Sequence, residues 1–507
     1  MCPPAALRVA AELAASRPDD PLADLVAELA DRQARLDLLD AGGDPYAAVR
    51  EVFSWSIQHL PDAAARTFRL LGLHPGPDLD PYPAAALADT DLDHARRTLE
   101  LLARAHLVHR TSRGRYGMHD LLRAYATHLA TTEESDQQRQ TAQQRLFDYY
   151  QAAAVSAMDT LHPAEAHYRP EAAASATPLP SLAERDPAHA WLEAERFCLV
   201  AMAAHTAAIG RSDYVVGLSR ILHRYLGDAH LTEMLAINEH ALRAAEHAGD
   251  LSGQGHALRA LGMAHTRLTR YETATEYCRQ AVARFEKTGD LVGQALALTS
   301  LGICHYRQGN HELAIDEHLR SIELARRASD RFGEACALNN LAVVQERVAR
   351  YAEAAEHHRL ALAIFTERGA RYCEGLALSN LANVELGHYG SAGDHLQRSL
   401  DRIRQLGSPI TEAHTLDTLG ILHLRLGEPE RAIRYFQQAL ILYRGAGERS
   451  GQAWALNGLG EAAQLAERPA DALTYHTDAL AIAGRQRRPA PAGPRPHRPR
   501  TRALDPW

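Results

Sequence analysis

The sequence predicts an all-α protein dominated by a solenoid of repeated helix pairs, and three periodic markers support this fold class. Spacings of 40, 40, 40, 38 and 40 residues separate six Leu-Gly or Leu-Ala steps. These steps are Leu261-Gly262, Leu301-Gly302, Leu341-Ala342, Leu381-Ala382, Leu419-Gly420 and Leu459-Gly460. Two series of small residues, beginning at Ala274 and at Ala281, keep the same spacings. Three markers in one register indicate an internal repeat.

Each repeat unit is predicted to contain two helices, over 257–268 and 273–288 in the first unit and 296–308 and 312–328 in the second. Helix-stopping residues lie between units. They are Gly249-Asp250, Gly289-Asp290, Ser329-Asp330, Gly369-Ala370 and Gly447-Glu448. The small marker residues are expected where the two helices touch. This pattern resembles the tetratricopeptide repeat (TPR), in the long form of kinesin-light-chain-like proteins.

The TPR resemblance implies a right-handed α-solenoid whose first helices line a concave groove. A weaker unit at Ile221-Leu222 and Ala241-Leu242 extends the array to about seven repeats over 209–484. One unit is two residues short, between Leu381-Ala382 and Ala392. We expect a local change in curvature there, and a candidate hinge.

Arginines and asparagines are the candidate ligand-binding residues of this groove. Six residues after the marker leucine come Arg267, Arg307, Arg347 and Arg425, at a position that faces inward in the TPR pattern. Asparagines collect on the same helices, at Asn339, Asn340, Asn380 and Asn383. Arginine forks bind carboxylates, and amides can satisfy a peptide backbone, so we expect a protein or peptide partner. The alternative for each arginine is a solvated side chain that complements the helix dipole.

Residues 46–130 are predicted to form a winged-helix domain. Helices are expected over 46–60, 63–71 and 92–105, with a short helix near 83–87. Two strands, 107–110 and 115–118, follow around a turn at 111–114, and a last helix covers 120–130. Helices followed by a small β-hairpin are typical of a winged helix.

Several motifs in this region resemble those of one family. They are Pro4-Ala5-Ala6-Leu7-Arg8, Phe53-Ser54-Trp55-Ser56, Leu71-Gly72-Leu73-His74-Pro75-Gly76 and Arg115-Tyr116-Gly117-Met118-His119-Asp120-Leu121. Residues 1–130 thereby resemble the C-terminal half of an NB-ARC nucleotide switch, of the STAND type in actinobacterial AfsR-like regulators, with 1–45 as a remnant of its helical subdomain. The first motif departs from the family pattern, because Cys2 and Ala5 replace a Gly and a Leu.

The NB-ARC resemblance implies that His119 contacts the β-phosphate of ADP and that Pro4 packs on adenine. His119 is also expected at a strand-to-helix junction, where backbone N–H groups and the helix dipole favour an anion. The alternative is that His119 and Asp120 cap the helix. A Walker A loop requires lysine, and the only lysine is Lys287. The chain is therefore not expected to be an autonomous P-loop NTPase.

A helical connector is predicted over 131–208 and a disordered Arg/Pro-rich tail over 485–507. The connector contains a helix over 141–161, an irregular loop over 162–180 and a helix that starts near Ala190-Trp191-Leu192. The AfsR-like family carries a similar Trp-Leu-x-x-Glu element before its repeats. We expect Trp191 to be a core anchor.

Composition excludes several functional classes. No apolar window is long enough for a membrane span and no signal peptide begins the chain, so we expect a cytoplasmic protein. The six cysteines form no Cys-x-x-Cys pair, which favours buried free thiols. The net charge is −8, of which the tail contributes about +6 from seven Arg and one Asp, so the rest carries about −14. DNA binding is therefore not expected of the folded body, although a winged helix or the tail could provide it.

No nucleophile motif or metal-ligand spacing is present, so we predict no enzyme and no metal site. The predicted function is a non-catalytic regulatory or adaptor protein that binds a partner in the TPR groove and controls transcription or signalling. The alternative is an ADP-binding STAND-type switch, or a truncated transcriptional regulator, that uses His119 and Pro4. Self-association stays open.

Overall fold

A computed structural model describes residues 57, 59–111, 114–385, 389–406, 409–446 and 448–486. The chain divides into two compact units, one up to Gly309 and one from Asn310 onward. Several predictions lie outside the described residues. They are the NB-ARC remnant at 1–45 with Pro4, most of the helix at 46–60, residues 386–388 of the candidate hinge, and the tail beyond 486.

The first unit begins with helices around a small sheet. Its elements before the repeats are α1 Asp62–Leu71, β1 Asp78–Leu79, α2 Pro81–Ala88, α3 Leu92–Arg104, β2 His109–Arg110, β3 Tyr116–Gly117, α4 Asp120–Glu133, α5 Asp136–Leu161, a 3-10 helix Pro163–Tyr168 and α6 Arg185–Ala208. The strand order is β1-β3-β2, and both pairings are antiparallel.

Two strands are shorter than predicted, and the third strand was not predicted at all. β2 and β3 are two residues each, and they pair around a turn in which Gly114 adopts φ = +81°. β1 pairs Asp78 with Gly117 and Leu79 with Tyr116. A two-residue strand has too little alternation of polar and apolar residues to be seen in a sequence.

Local capping sets the start of the connector helix α5. Ser135 Oγ accepts from the Gln138 amide at 3.3 Å, and the Gln138 side chain accepts from the Ser135 amide at 2.8 Å. This capping box satisfies two N-terminal donors, so α5 begins at Asp136 and not at residue 141 as predicted. The predicted loop at 162–180 also contains a short helical turn, the 3-10 helix Pro163–Tyr168.

Paired helices make up the rest of the described chain, as the periodicity predicts. In the first unit they are α7 Ser212–Ala229, α8 Leu231–Ala248, α9 Leu251–Arg267, α10 Tyr271–Thr288 and α11 Leu291–Arg307. In the second unit they are α12 His311–Arg327, α13 Arg331–Arg347, α14 Tyr351–Glu367, α15 Arg371–Val384, α16 Tyr389–Leu406, α17 Pro409–Arg425, α18 Pro429–Gly445, α19 Arg449–Leu465 and α20 Pro469–Gln486.

The marker glycines lie where the two helices of a pair meet. A Cβ built on Gly262 would be 2.5 Å from Cys278 Sγ, and one on Gly420 would be 2.6 Å from the Phe436 ring. Gly460 meets the His476 ring at 2.5 Å in the same way. Each neighbour is 16 residues beyond its glycine, which explains why a small residue recurs at this marker.

A continuous apolar core joins the sheet region, the connector and the first repeats within the first unit. Trp191 is 7% exposed in this core, which confirms its predicted role as an anchor. Among the described cysteines, Cys198, Cys278 and Cys304 are buried free thiols, and Cys336 and Cys373 are half-buried. None of the helices described is long and apolar enough to cross a membrane.

Candidate ligand-binding face of the repeats

All four predicted arginines are exposed, and each is the last residue of a first helix. They are Arg267 in α9, Arg307 in α11, Arg347 in α13 and Arg425 in α17. The Arg307 guanidinium lies 6.0 Å from the ring centroid of Tyr306. Their helix-terminal position fits the dipole interpretation as well as the groove interpretation.

The predicted asparagines divide into a hydrogen-bonded group and two separate residues. Asn339 Oδ1 is 2.9 Å from His358 Nδ1 and 3.4 Å from Asn380 Nδ2, so Asn339 links the first helices α13 and α15 with α14. Burial lowers the pKa of His358 to about 3, so its ring is neutral and Nδ1 is the donor. Asn340 Nδ2 donates to the Cys336 carbonyl of its own helix at 2.9 Å. Asn383 is half-buried near the end of α15.

Asn339 belongs to a row of polar residues that sequence reasoning missed. The residue two positions before each marker is polar in every described helix pair, where Ile221 is the marker of the first pair. The row consists of Ser219, Arg259, Thr299, Asn339, Ser379, Asp417 and Asn457. Counting back two positions from each marker would have found it. Ser219, Asn339 and Asn457 each lie within hydrogen-bond distance of the residue 19 positions later, on the second helix of the same pair, at 2.6, 2.9 and 3.2 Å. The row therefore lies beside the contact between the two helices of a pair.

Asp417 and Glu346 are carboxylates with unusual surroundings in the second unit. Asp417 lies on α17, and burial raises the pKa of its carboxyl to about 7. Its Oδ1 atom is buried without a hydrogen-bond partner among the described residues. Burial also raises the pKa of the half-buried Glu346 on α13. Ionised carboxylates that lack donors can accept hydrogen bonds from amides or cations of a ligand.

His119 lies at the predicted strand-to-helix junction, as the N-cap residue of α4. Its side chain makes no capping hydrogen bond, so the helix-capping alternative is not supported for this histidine. The next residue, Asp120, is an exposed acidic residue in the first turn. His119 is half-buried, and its predicted companion Pro4 is outside the described residues.

Three of the sequence motifs meet at one buried carboxylate, Glu195. This residue is the last position of the Trp-Leu-x-x-Glu element on α6 and is 0% exposed. It is bonded to Arg115, next to β3, and accepts from Tyr150 Oη of α5 at 3.1 Å. Arg115 also donates to Asp78 of β1 at 3.0 and 2.7 Å. The ion pairs therefore fasten the sheet to the connector helices.

A chain of hydrogen bonds extends this junction to His74. Burial lowers the pKa of His74 to about 3, so its ring is neutral. The Gly76 amide donates to His74 Nδ1 at 3.2 Å, and this leaves Nε2 to donate to Tyr150 Oη at 2.9 Å. Tyr150 then donates to Glu195. The same motif contains Gly72, where a Cβ would lie 2.5 Å from the Thr127 backbone nitrogen of α4.

The helix pairs match a known sequence profile. The profile described as Tetratricopeptide repeat matches residues 293–367, 374–445 and 411–485, and a second profile of the same description matches 255–288. These regions are tetratricopeptide repeats. The predicted all-α fold class with a TPR solenoid is confirmed. Within the part of the chain that the structure describes, no group of three or more His, Cys, Asp or Glu could hold a metal ion.

Curated relatives of the TPR chain are regulators. "Regulatory protein AfsR" of Streptomyces griseus is 38% identical over 213 residues, which are 41% of this chain and 21% of the relative. The protein of the same name from Streptomyces coelicolor is 34% identical over 293 residues, which are 55% of this chain and 28% of the relative. The resemblance to AfsR-like proteins is confirmed over these matches, which span about a quarter of each relative.

Two solved structures resemble this chain at low sequence identity. A STAND protein with a tetratricopeptide repeat sensor from Pyrococcus horikoshii has a TM-score of 0.43 at 13% identity, over 95% of this chain and 73% of that one. A Rap protein complexed with competence and sporulation factor has a TM-score of 0.49 at 14% identity, over 80% and 98%. Both scores are below 0.5, so no function follows from them.

Proposed function

We propose that this TPR chain is a non-catalytic regulatory protein that binds a protein or peptide partner on the first helices of its repeats. The observation that supports this proposal is the polar row, which recurs in register while its neighbours pack as Ala and Leu. The similarity to AfsR regulators supports a role in transcriptional or signalling control.

Asp417 and Asn339 are the proposed contact residues of the second unit. The Asp417 carboxylate has a buried oxygen that lacks a donor among the described residues, and a cationic or amide group of a partner would supply one. Asn339 lies on the neighbouring part of the same row and holds Asn380 and His358 in place. Truncation of Asn339 should therefore disturb three polar side chains at once.

Selection of random peptides on the purified full chain would test this role. We expect enriched peptides to carry Lys or Arg, and we expect Asp417→Asn to weaken their binding about tenfold, as loss of a charge-assisted hydrogen bond does. Glu323→Gln is the matched control, because it removes one negative charge from an exposed position of the second helix α12. Peptides that bind both variants equally well would contradict the proposal.

Arg267, Arg307, Arg347 and Arg425 are proposed as further contacts at the ends of the first helices. If they bind carboxylates of the partner, replacement of Arg267, Arg307 and Arg347 by Glu should abolish capture and leave the helical circular dichroism unchanged. Unchanged capture would favour the dipole interpretation of these side chains.

An ADP-binding switch is the second candidate function. We propose it because His119 is the N-cap residue of α4, in a motif that resembles the winged helix of NB-ARC proteins. ADP should then raise the melting temperature of the full chain, and His119→Ala should remove that shift. A melting temperature that does not respond to ADP would exclude this candidate.

A further inference from the structure

Residues Pro163–Tyr168 lie against the first helix of the repeat array. This 3-10 helix follows α5 and has no buried residue. Arg220 Nη2 of α7 donates to the Tyr168 carbonyl at 3.0 Å, and Arg224 Nε of the same helix is 4.0 Å from Glu165 Oε1. A segment outside the repeats thus presents a carboxylate and a carbonyl oxygen to the α7 surface.

The surface that receives this segment is cationic because it contains three arginines. It contains Arg220, His223 and Arg224 on α7, with His256 and Arg259 on α9. Arg259 belongs to the polar row, and its Nε atom is buried without a hydrogen-bond partner among the described residues. Burial lowers the pKa of its guanidinium, whereas Glu165 and Tyr168 of the segment raise that pKa and Arg220 lowers it. Removal from water therefore disfavours the charge of Arg259, and the carboxylate of the segment favours it.

Several donors of the surface are buried and have no acceptor among the described residues. They include the Nε atoms of Arg220 and Arg259, and His223 Nδ1 is likewise buried without a partner. Burial and the neighbouring arginines lower the pKa of His223, whose ring is consequently neutral. A buried guanidinium donor without an acceptor costs free energy, which an anionic ligand would recover.

Two carboxylates of the repeats partly offset the charge of this surface. Asp250 and Asp290 are near enough to affect the pKa of Arg220. However, each of them accepts a hydrogen bond from a backbone amide as a helix N-cap, from Gly253 at 2.9 Å and from Gly293 at 2.8 Å. Among the described residues, Glu165 is the only carboxylate near this surface that comes from outside the repeats. Its distance to Arg224 is at the upper limit for an ion pair.

We propose that this cationic surface binds an acidic peptide segment of a partner protein, and that residues 163–169 occupy it in cis until the partner displaces them. Arginine forks suit a carboxylate that arrives in an extended peptide, because each fork can donate two parallel hydrogen bonds. Glu165 imitates the ligand, but its 4.0 Å contact is loose. The inference rests on the proposed role of the first-helix face, although it concerns residues different from Asp417 and Asn339.

Arg169 explains how the segment can leave without unfolding its surroundings. Its guanidinium is bonded to Asp159 at 2.7 Å and to the His162 carbonyl at 2.8 Å, both on the α5 side. Thr160 Oγ1 likewise donates to the Leu182 carbonyl at 2.7 Å. These contacts hold both ends of the loop to the connector and not to the repeats. Displacement therefore breaks the contacts with Arg220 and Arg224 and leaves these connector contacts in place.

The test uses the full chain and a labelled synthetic peptide of alternating Glu and Ala, with a Gln-Ala peptide as its neutral counterpart. Fluorescence anisotropy should show binding of the acidic peptide only.

Arg259→Gln should weaken binding about tenfold, and Arg243→Gln, at an exposed arginine of α8, should have little effect. Glu165→Gln should strengthen binding several-fold because it weakens the internal competitor. Arg259→Lys provides a second variant if Arg259→Gln does not fold, and should bind less tightly than wild type.

Hydrogen–deuterium exchange reports on displacement. The amides of Glu165 and Arg169 are bonded within the segment, to His162 and Ala166, and they should exchange faster when the peptide is bound. The proposal would be overturned by any of three results. The two peptides could bind equally well, or Arg259→Gln and Arg243→Gln could weaken binding equally. Inorganic phosphate could also displace the acidic peptide at an equal concentration. Unchanged exchange over 163–169 would overturn the displacement. If this inference fails but Asp417→Asn still weakens the binding of the selected Lys- or Arg-containing peptides, the proposed function stands.

Discussion

At the scale of single residues, Thr269 stands out because its backbone is left-handed, with φ = +58°. It lies in the turn between α9 and α10. Forty residues later the same turn position is Gly309, with φ = +82°. A β-branched residue is strained in this region, whereas glycine is not.

Thr269→Gly should therefore stabilise the protein by about 1 kcal/mol, since relief of left-handed strain exceeds the extra entropy of glycine in the unfolded chain. Urea unfolding followed by circular dichroism would measure the change. The reverse substitution at the equivalent turn, Gly309→Thr, should destabilise. A loss of stability in Thr269→Gly would mean that a contact of the threonine side chain stabilises the folded state by more than the backbone strain costs.

Asp417 is predicted to make stability depend on pH. Its folded-state pKa of about 7 is above the ordinary value of 3.8, so the folded chain holds a proton that the unfolded chain has released. The free energy of unfolding should consequently fall as the pH rises from about 4 to 7, and stay low above that. Asp417→Asn removes this dependence.

The melting temperature of Asp417→Asn should equal that of wild type near pH 4 and exceed it by about 5 °C at pH 8. Thermal scans of the two proteins at both pH values would measure the difference. A constant difference across this range would show that the Asp417 carboxyl titrates normally. Sequence reasoning could not foresee this behaviour, because the burial of Asp417 depends on how the neighbouring helices of the array pack against α17.

At the scale of helices, the marker glycines determine how closely two helices of a pair can pack. The Phe436 ring is 1% exposed and lies against both Gly420 and Gly458, with built Cβ distances of 2.6 and 2.5 Å. A buried ring in contact with two helices has little room to move. The sequence predicted this close approach correctly from the marker alone.

Gly420→Ala should destabilise the second unit by about 1–3 kcal/mol through overpacking against Phe436. Gly393→Ala is the matched control, because this helical glycine has its nearest neighbour, Leu422, at an ordinary 3.6 Å. The control should be stabilised by about 0.5–1 kcal/mol, as alanine is a better helix former. Urea unfolding compares the two, and equal effects would refute the packing argument.

Helix positions in the N-terminal region were predictable from periodicity, but their ends and the sheet were less so. The pattern located α1, α3 and α4 within a few residues, because each has a clear apolar face. It missed the start of α5, where the Ser135 capping box adds polar residues without periodicity. It also missed β1, which exists only because β3 provides a partner.

At the scale of the whole chain, Glu195 shows how distant motifs cooperate. The sequence singled out the segments around His74, Arg115 and Trp191 separately, from their resemblance to one family. Only the fold brings them together, at a carboxylate that is 0% exposed. No periodicity or spacing could have predicted this meeting, because 80 residues separate Arg115 from Glu195.

Glu195→Ala should destabilise the first unit by about 3–5 kcal/mol, since it leaves the Arg115 guanidinium buried with half of its partners. Hydrogen–deuterium exchange of β1, β3 and α6 should accelerate most. Asp93→Ala breaks the exposed Arg96–Asp93 pair and should change stability by less than about 0.5 kcal/mol. Similar exchange in both variants would show that the Glu195 junction carries little of the stability.

The joints between repeats have a consequence for how this array can evolve. Asp250, Asp290 and Asp330 each begin a first helix and accept a hydrogen bond from a glycine amide three residues later, at 2.9, 2.8 and 2.9 Å. Because the joints are equivalent, recombination between two of the corresponding codons would insert or delete a 40-residue cassette with its caps intact. The number of repeats, and with it the number of proposed partner-contact positions, can thus change by gene duplication, without any new helix contact having to arise by point mutation.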